Sequence, residues 1–463
     1  MTYCIETYGC QMNKAESSAL ETMFRERGWT VCAIPEESDL VLINTCSVRA
    51  TAETRAWGRI DHFAAIKRQR KLTLVVTGCM AERMRTSVHE RQKAIDYVVG
   101  TFQKQSFGLI LDAVAQGRKL EVLEESPSFV FSSSHHDPGA FRAFVPIMHG
   151  CDNFCSYCIV PYLRGRETSR NPASILAELD SLEDSGVREV TLLGQNVNSY
   201  RFCENGAILD FPSLMRRIAS HLRSRGVDGI RWIRFLTSHP KDLSAELIEV
   251  MAEEPVFCRH IHLCVQSGSD AVLAAMNRKY TREHYFGLVD AMKARIPGLT
   301  LSTDILVGFP GETDADLEST LDLMRKVGYV YSYMYHFNPR EGTPAVKMEN
   351  RVPDRVKKER LSRVIAFQKE MTGELMRSRL GQIDEVLIED VSKKRKNEVL
   401  ARTRRDEMVV FPAAAARIGT FAHVRLVSLS GNTFRAEETG STAGTGITGG
   451  TDETGRVDGT DGV

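Results

Sequence analysis

Net charge is what this sequence of 463 residues lacks: 60 Lys and Arg are matched by 60 Asp and Glu, leaving a formal charge of zero at pH 7. That excludes a protein that attracts nucleic acid through its charge as a whole, so any such partner has to be held by local patches. No apolar run approaches the roughly 20 residues of a membrane-spanning helix. The opening MTYCIETYGC has neither the basic start nor the apolar core of a signal peptide, and the cytoplasm is the expected compartment. A dense disulfide framework is also missing. The cysteines number 11, an odd count, in a chain far larger than a disulfide-stapled domain. Metal or catalytic use is the better expectation for cysteines in special settings, and burial as small apolar residues for the rest. What is there is ordinary globular material, 42% hydrophobic and 26% charged, enough for several cores.

Residues 1–125 alternate strand-like and helix-like runs. DLVLINTC and TLVVTGC read as buried strands, and each is followed by a helical stretch. This pattern predicts a doubly wound parallel α/β sheet. Residues 126–140, SPSFVFSSSHHDPGA, read as a linker. Residues 141–379 alternate again on a larger scale. Six strand-like runs there predict a partial (βα)6 barrel, followed by a charged amphipathic helix over 351–379. Short strand runs with close turn signals over 380–438 predict a small β-barrel. From Thr439 the chain is Gly/Thr-rich low complexity, and residues 439–463 are expected to be a disordered tail.

Cys151, Cys155 and Cys158 form a C-x3-C-x2-C pattern in HGCDNFCSYCIVP. Three thiolates this close can bind three irons of one cubane cluster and leave the fourth open for a ligand. The competing reading is a structural zinc knuckle with His149 as fourth ligand. The loop follows the first barrel strand, where such folds place their chemistry. Cys10, Cys46 and Cys79 are far apart in sequence but alike in setting, each ending a strand-like run and preceding a helical one. Loops at the carboxyl ends of parallel strands meet in one crevice, so the three can converge on a second cluster. The bland alternative is three buried cysteines that happen to end strands. Cys4, Cys32, Cys203, Cys258 and Cys264 have no partner at ligand spacing and are read as non-ligands.

Polar residues also gather at the expected strand ends: Gln195 and Asn196 at the second, Ser238 and His239 at the third, Gln266 at the fourth, and Asp304 in the fifth. Such positions favour ligand contact. Lys393, Lys394, Arg395, Lys396, Arg402, Arg404 and Arg405 make a basic run opposed by Glu398 alone, suited to a nucleic-acid backbone. Arg164, Arg166 and Arg170 follow the cysteine loop and are placed to meet phosphates.

The motifs ETYGCQMNKAES, INTCSVRATAE, VTGCMAER, GCDNFCSYCIVPYLRGRETSR, VTLLGQNVNSY, TSHPKD, VQSGSDAVLAAMNRKYT and DILVGFPGET together resemble the radical S-adenosylmethionine methylthiotransferase family over about residues 3–438. The segment 380–438 resembles the TRAM domain, an RNA-binding β-barrel. The resemblance implies two 4Fe-4S clusters. One, on Cys151, Cys155 and Cys158, binds S-adenosylmethionine; an auxiliary one, on Cys10, Cys46 and Cys79, takes part in sulfur insertion. It implies that Gln195, Asn196, Ser238, Gln266 and Asp304 line the S-adenosylmethionine pocket, and it assigns no side chain a catalytic role. The branch it favours converts N6-(dimethylallyl)adenosine at position 37 of tRNA to its 2-methylthio derivative. Branches acting on N6-threonylcarbamoyladenosine or on a ribosomal-protein aspartate are the alternatives, and a non-catalytic, metal-stabilised RNA-binding protein is the reading from another class. Implied partners are tRNA, an electron donor such as flavodoxin or ferredoxin, and a sulfur source, with no membrane and a monomeric state. Cys264, where the family commonly has Pro, is expected to be a bystander, and His336 a structural residue.

Overall fold

The computed structural model describes residues 1–47, 50–121, 125–126, 129–132, 139–226 and 229–439. The expected tail beyond Thr439 lies outside the described residues. None of the described helices is long and apolar enough to cross a membrane.

Five parallel strands build the N-terminal sheet, in the spatial order Thr30–Val31, Thr2–Thr7, Leu40–Thr45, Thr73–Gly78 and Tyr97–Val99. The run LVLINT is buried at every position, because period-2 alternation sends its side chains to two covered faces. Leu40 and Leu42 pack with Phe24 and Phe107 on one face, and Val41 and Ile43 with Trp57, Ile60 and Phe63 on the other. The strand order reverses between Thr2–Thr7 and Leu40–Thr45. A crevice opens at the carboxyl ends of strands at such a switch point. Cys10 and Cys46 flank it.

Six parallel strands make the central domain among the described residues: Arg142–Pro146, Glu189–Leu193, Trp232–Phe235, His260–His262, Thr300–Val307 and Tyr331–His336. Single bridges between Ile233 and Phe257 and between Ser238 and Leu263 join its two three-stranded halves. The outer helices are Pro172–Asp184, Phe211–Arg225, Ala245–Glu253 and Asp314–Val327. The stretch 270–295 is broken into Asp270–Ala275 and Arg282–Arg295. A hairpin, Arg201–Glu204 with Ala207–Asp210, also inserts after the second strand. The helix Asp354–Arg377 carries the chain to a closed five-stranded barrel, Ile383–Val391, Glu398–Thr403, Met408–Pro412, Phe421–Ser430 and Thr433–Glu438.

The small barrel is fastened to the amino ends of the central strands. Arg142 pairs with Glu389 at 2.9 Å, Arg234 Nη2 donates to the Thr403 carbonyl at 2.9 Å, and the rings of Trp232 and Phe421 meet at 5.1 Å. It therefore sits at the opposite end of the central domain from the cysteine loop. The segment expected to be a linker is packed where it is described. Phe129 stacks flat on His149 with ring centroids 3.5 Å apart.

Candidate cluster and cofactor site

Each N-terminal cysteine is held where a strand gives way to a helix. Cys10 caps Gln11–Glu26, Cys46 directly follows Leu40–Thr45, and Cys79 begins Cys79–Arg91. Side-chain bonds tie the three ends together. Asn13 Oδ1 accepts from the Cys10 backbone N–H at 3.2 Å, while its Nδ2 donates to Asn44 Oδ1 at 3.0 Å and to the Thr45 carbonyl at 3.1 Å. Thr45 Oγ1 donates to the Thr77 carbonyl at 2.5 Å. Gly78 has φ +94, and a Cβ there would meet the Thr45 carbonyl oxygen at 2.3 Å, so only glycine lets the Cys46 and Cys79 ends approach. Cys79 is close enough to Cys10 to feel its charge, and the Asn13 and Thr45 bonds hold the strand end before Cys46 beside the other two.

The second set is local. Gly150, at φ +80, precedes Cys151 where a Cβ would strike the Arg166 carbonyl oxygen at 2.1 Å. Cys151 N–H donates to the Gly165 carbonyl at 3.2 Å. Ser156 N–H donates to the Met276 carbonyl at 3.0 Å, and its Oγ donates to the Ala275 carbonyl at 2.8 Å. Cys151 and Cys155 are buried and Cys158 half-buried. Burial pushes the Cys151 thiol up to about 11, and burial with the neighbouring Cys155 sulfur pushes Cys158 up to about 12. These thiols ionise when a metal takes the place of the proton. Cys79 also lies against Ile159 and Leu163, just past Cys158. Arg340, after the last central strand, is close enough to Cys46 to feel its charge.

Among the described residues, the group whose donors all lie within 4.8 Å of one another is His262, Cys264 and Asp304, not either cysteine set. Ligands on three different irons of a cubane stand further apart than ligands of one zinc. His149 is not grouped with these cysteines: among the described residues its donor atoms do not lie within 4.8 Å of a cysteine set, its Nδ1 faces Arg164 at 3.4 Å, and its ring is stacked under Phe129. The zinc-knuckle reading is not supported.

A cluster of unsatisfied polar atoms rings the mouth. Gln195 Oε1, Asn196 Oδ1, both amide atoms of Asn198, Ser238 Oγ and His239 Nε2 are buried without a hydrogen-bond partner. Buried polar atoms are normally paired, so this concentration fits a polar cofactor. Thr237 at φ 68 and Gln266 at φ 70 hold left-handed backbone beside it, a strain that collects at ligand sites. Asp304 lies below. Burial works to raise its carboxyl pKa, but the His262 hydrogen bond and charge hold it below the usual range. Cys264 Sγ lies with donor atoms of Asp304 and of His262, which sequence reasoning missed, all within 4.8 Å of one another. Alternation of His260 and His262 along one strand was the available signal. His336 Nδ1 lies 3.4 Å from the Phe337 carbonyl oxygen.

The expected RNA contacts divide. Lys393, Lys394, Arg395 and Lys396 are exposed. Arg402 instead bridges Glu389 and Asp406, Arg404 donates to the Pro255 carbonyl, and Arg405 packs over Gly298. Arg404 and Arg405 join the two barrels, while Arg402 ties Glu389, the partner of Arg142, to Asp406 within the small one. Arg164 and Arg170 are also corrected. Both are buried, Arg164 donating to Glu16 Oε1 at 2.7 Å and Arg170 pairing with Glu178, so neither reaches a phosphate. Arg166 is exposed, held by Asp152 at 2.7 Å.

Three family models match in order: Uncharacterized protein family UPF0004 over residues 2–100, the radical SAM superfamily over 145–324, and the TRAM domain over 377–437. A tRNA-2-methylthio-N(6)-dimethylallyladenosine synthase of Treponema denticola is 47% identical over 450 residues, covering 94% of this chain and 99% of that protein. One of Bacteroides fragilis is 43% identical over 440 residues, covering 94% and 95%. The solved radical S-adenosylmethionine methyltransferase TsrM from Kitasatospora setae superposes with a TM-score of 0.58 at 15% identity, covering 74% of this chain and 76% of that one, a likeness of fold alone. By these matches the chain belongs to the radical S-adenosylmethionine methylthiotransferase family, in the branch of the tRNA-2-methylthio-N(6)-dimethylallyladenosine synthases.

Proposed function

We propose that this protein puts a methylthio group on N6-(dimethylallyl)adenosine of tRNA, with Cys151, Cys155 and Cys158 holding the cluster that binds S-adenosylmethionine and Cys10, Cys46 and Cys79 holding an auxiliary one. The observation that carries it is the contact of Cys79 with Ile159 and Leu163, just past Cys158, beside a mouth lined with unpaired polar atoms. When bound, the clusters and S-adenosylmethionine supply radical chemistry at an inert C–H bond, together with the sulfur and the methyl group.

The chain's own residues bind and orient. Gln195, Asn196, Ser238 and Gln266 offer donors and acceptors to the polar ends of the cofactor, and Asp304 offers an anionic acceptor fixed by His262. The helix Gln11–Glu26 of the N-terminal unit packs by Met12 and Ala15 on Leu193, at the end of the second central strand. We assign the units as 1–125 for the auxiliary cluster, 141–379 for the radical chemistry, and 380–438 for RNA. Lys393, Lys394, Arg395 and Lys396 carry the RNA contact, while Arg402, Arg404 and Arg405 hold the RNA-binding barrel in place. An electron donor such as flavodoxin or ferredoxin and a separate sulfur source complete the reaction.

Reconstituted protein is expected to release 5′-deoxyadenosine on reduction. Nucleoside analysis of tRNA from cells with and without the gene is expected to show loss of the 2-methylthio derivative. If a threonylcarbamoyl-adenosine derivative disappears instead, or none does, the substrate is misassigned.

A further inference from the structure

Arg278 lies in the turn between the helices Asp270–Ala275 and Arg282–Arg295, and only 4% of it is exposed. Three hydrogen bonds lock its guanidinium: Nη1 donates to Cys155 Sγ at 3.4 Å, Nη2 to the Cys264 carbonyl at 2.6 Å, and Nε to Tyr280 Oη at 3.1 Å. The turn itself is constrained. Asn277 and Lys279 on either side have φ 60 and 63, and Asn277 Nδ2 donates to the Phe154 carbonyl of the cysteine loop at 2.9 Å. No carboxylate forms an ion pair with Arg278 among the described residues. Arg164, the buried arginine beside the other cysteine set, is neutralised by Glu16 at 2.7 Å. A buried cation without a counter-ion is costly unless its site gains negative charge.

We propose that Arg278 is the counter-charge of the cluster on Cys151, Cys155 and Cys158, a positioning residue that raises its reduction potential. The inference rests on reading those cysteines as cluster ligands. Reduction adds one electron to an already anionic, thiolate-bound centre. A fixed cation and an N–H···S bond favour the reduced state over the oxidised one. Arg278 transfers nothing: the electron comes from the external donor, and the guanidinium stays protonated.

The test is an EPR-monitored redox titration of the reconstituted two-cluster protein, native, R278K and R278Q, with iron content measured on each. The signal perturbed by S-adenosylmethionine identifies the cluster in question. In R278Q the one-electron reduction equilibrium is expected to become at least tenfold less favourable, a midpoint about 59 mV more negative. R278K, which keeps the charge and loses the planar fork, is expected to fall between. Should R278Q fail to retain iron, the native and R278K midpoints decide: a more negative R278K supports the role, and coincidence overturns it. Equal midpoints in native and iron-replete R278Q also overturn it. A native protein with no signal that responds to S-adenosylmethionine would refute the cluster assignment itself, a failure distinct from an unmoved potential.

Discussion

Cys151, Cys155 and Cys158 lie on one loop pinned by its own backbone bonds, whereas Cys10, Cys46 and Cys79 are brought together from three strand ends. The first set needs little beyond one tight turn at Gly150 and the floor supplied by Ala275 and Met276. The second exists only when the whole parallel sheet is in register, and it depends on Asn13, Asn44 and Thr45 to join the ends. Their electrostatic surroundings differ too. Arg278 faces the local set without a carboxylate partner, while Arg164 beside the assembled set shares the Glu16 carboxylate with Lys104. A ligand set built from short spacing tolerates change elsewhere in the chain; one built from topology inherits every weakness of its sheet.

The largest effect should come from the local set. Cys155→Ala is expected to reduce reductive cleavage of S-adenosylmethionine by more than about 100-fold, beyond the 10–100-fold cost of losing a mere outer partner of a metal ligand. The measurement is 5′-deoxyadenosine formed with a chemical reductant. Cys46→Ala should separate the two sets: cleavage continues at the native rate while methylthio-adenosine disappears from the products. Equal loss of both activities in the Cys46 variant would erase the distinction between the cysteine sets.

Legibility followed the same division. The C-x3-C-x2-C loop was visible as spacing, and the strand-end setting of Cys10, Cys46 and Cys79 was visible because buried parallel strands read as continuous apolar runs. The six strand–helix units and the small barrel emerged from periodicity. Contacts between residues distant in sequence left no local trace. Arg164 reads as a surface arginine after a cysteine loop, yet it pairs with Glu16, 148 residues away. Arg402, Arg404 and Arg405 read as one basic run with Lys393–Lys396, yet strand alternation and the docking of the barrel turn them inward against Glu389, Pro255 and Gly298. His262 was missed because Asp304 reaches it only from the neighbouring strand, although Cys264 stands two residues further along its own run.

The assembled set should also be the thermally weaker one. Glu16→Gln leaves Arg164 and Lys104 buried without their anion and is expected to cost about 3 kcal/mol, the low end for breaking a buried pair. In a unit of this size that lowers the first unfolding transition by on the order of 10 °C. The pH dependence has a defined sign. Burial raises the Glu16 carboxyl pKa, but the Arg164 and Lys104 charges outweigh it and hold the group well below its ordinary value. Its stabilisation is therefore fully present above the unfolded-state value near ~4.3 and is lost as pH falls through the folded value. The native and Glu16→Gln transitions should converge on acidification. A constant gap between them down to acid pH would mean that the carboxylate charge is not what matters.

The smallest expected effect lies at the far end of the molecule, where the small C-terminal barrel docks on the amino ends of the central strands. Replacing Lys393, Lys394 and Lys396 with Ala removes exposed charge that holds no partner in place. Affinity for tRNA should weaken several-fold, and the slope of log affinity against log salt should shrink by about 0.7–0.9 for each phosphate that is no longer neutralised. Arg402→Ala should behave differently. This arginine bridges Glu389 and Asp406, so its loss should lower the unfolding temperature of the barrel and leave the salt slope of the remaining folded protein unchanged. Because the lysines lie away from the mouth, their loss should raise the KM for tRNA without altering reductive cleavage of S-adenosylmethionine. A drop in salt slope for Arg402→Ala as large as for the triple lysine variant would show that the whole basic run faces the RNA, and that the inward pairing is exchanged for phosphate contacts on binding.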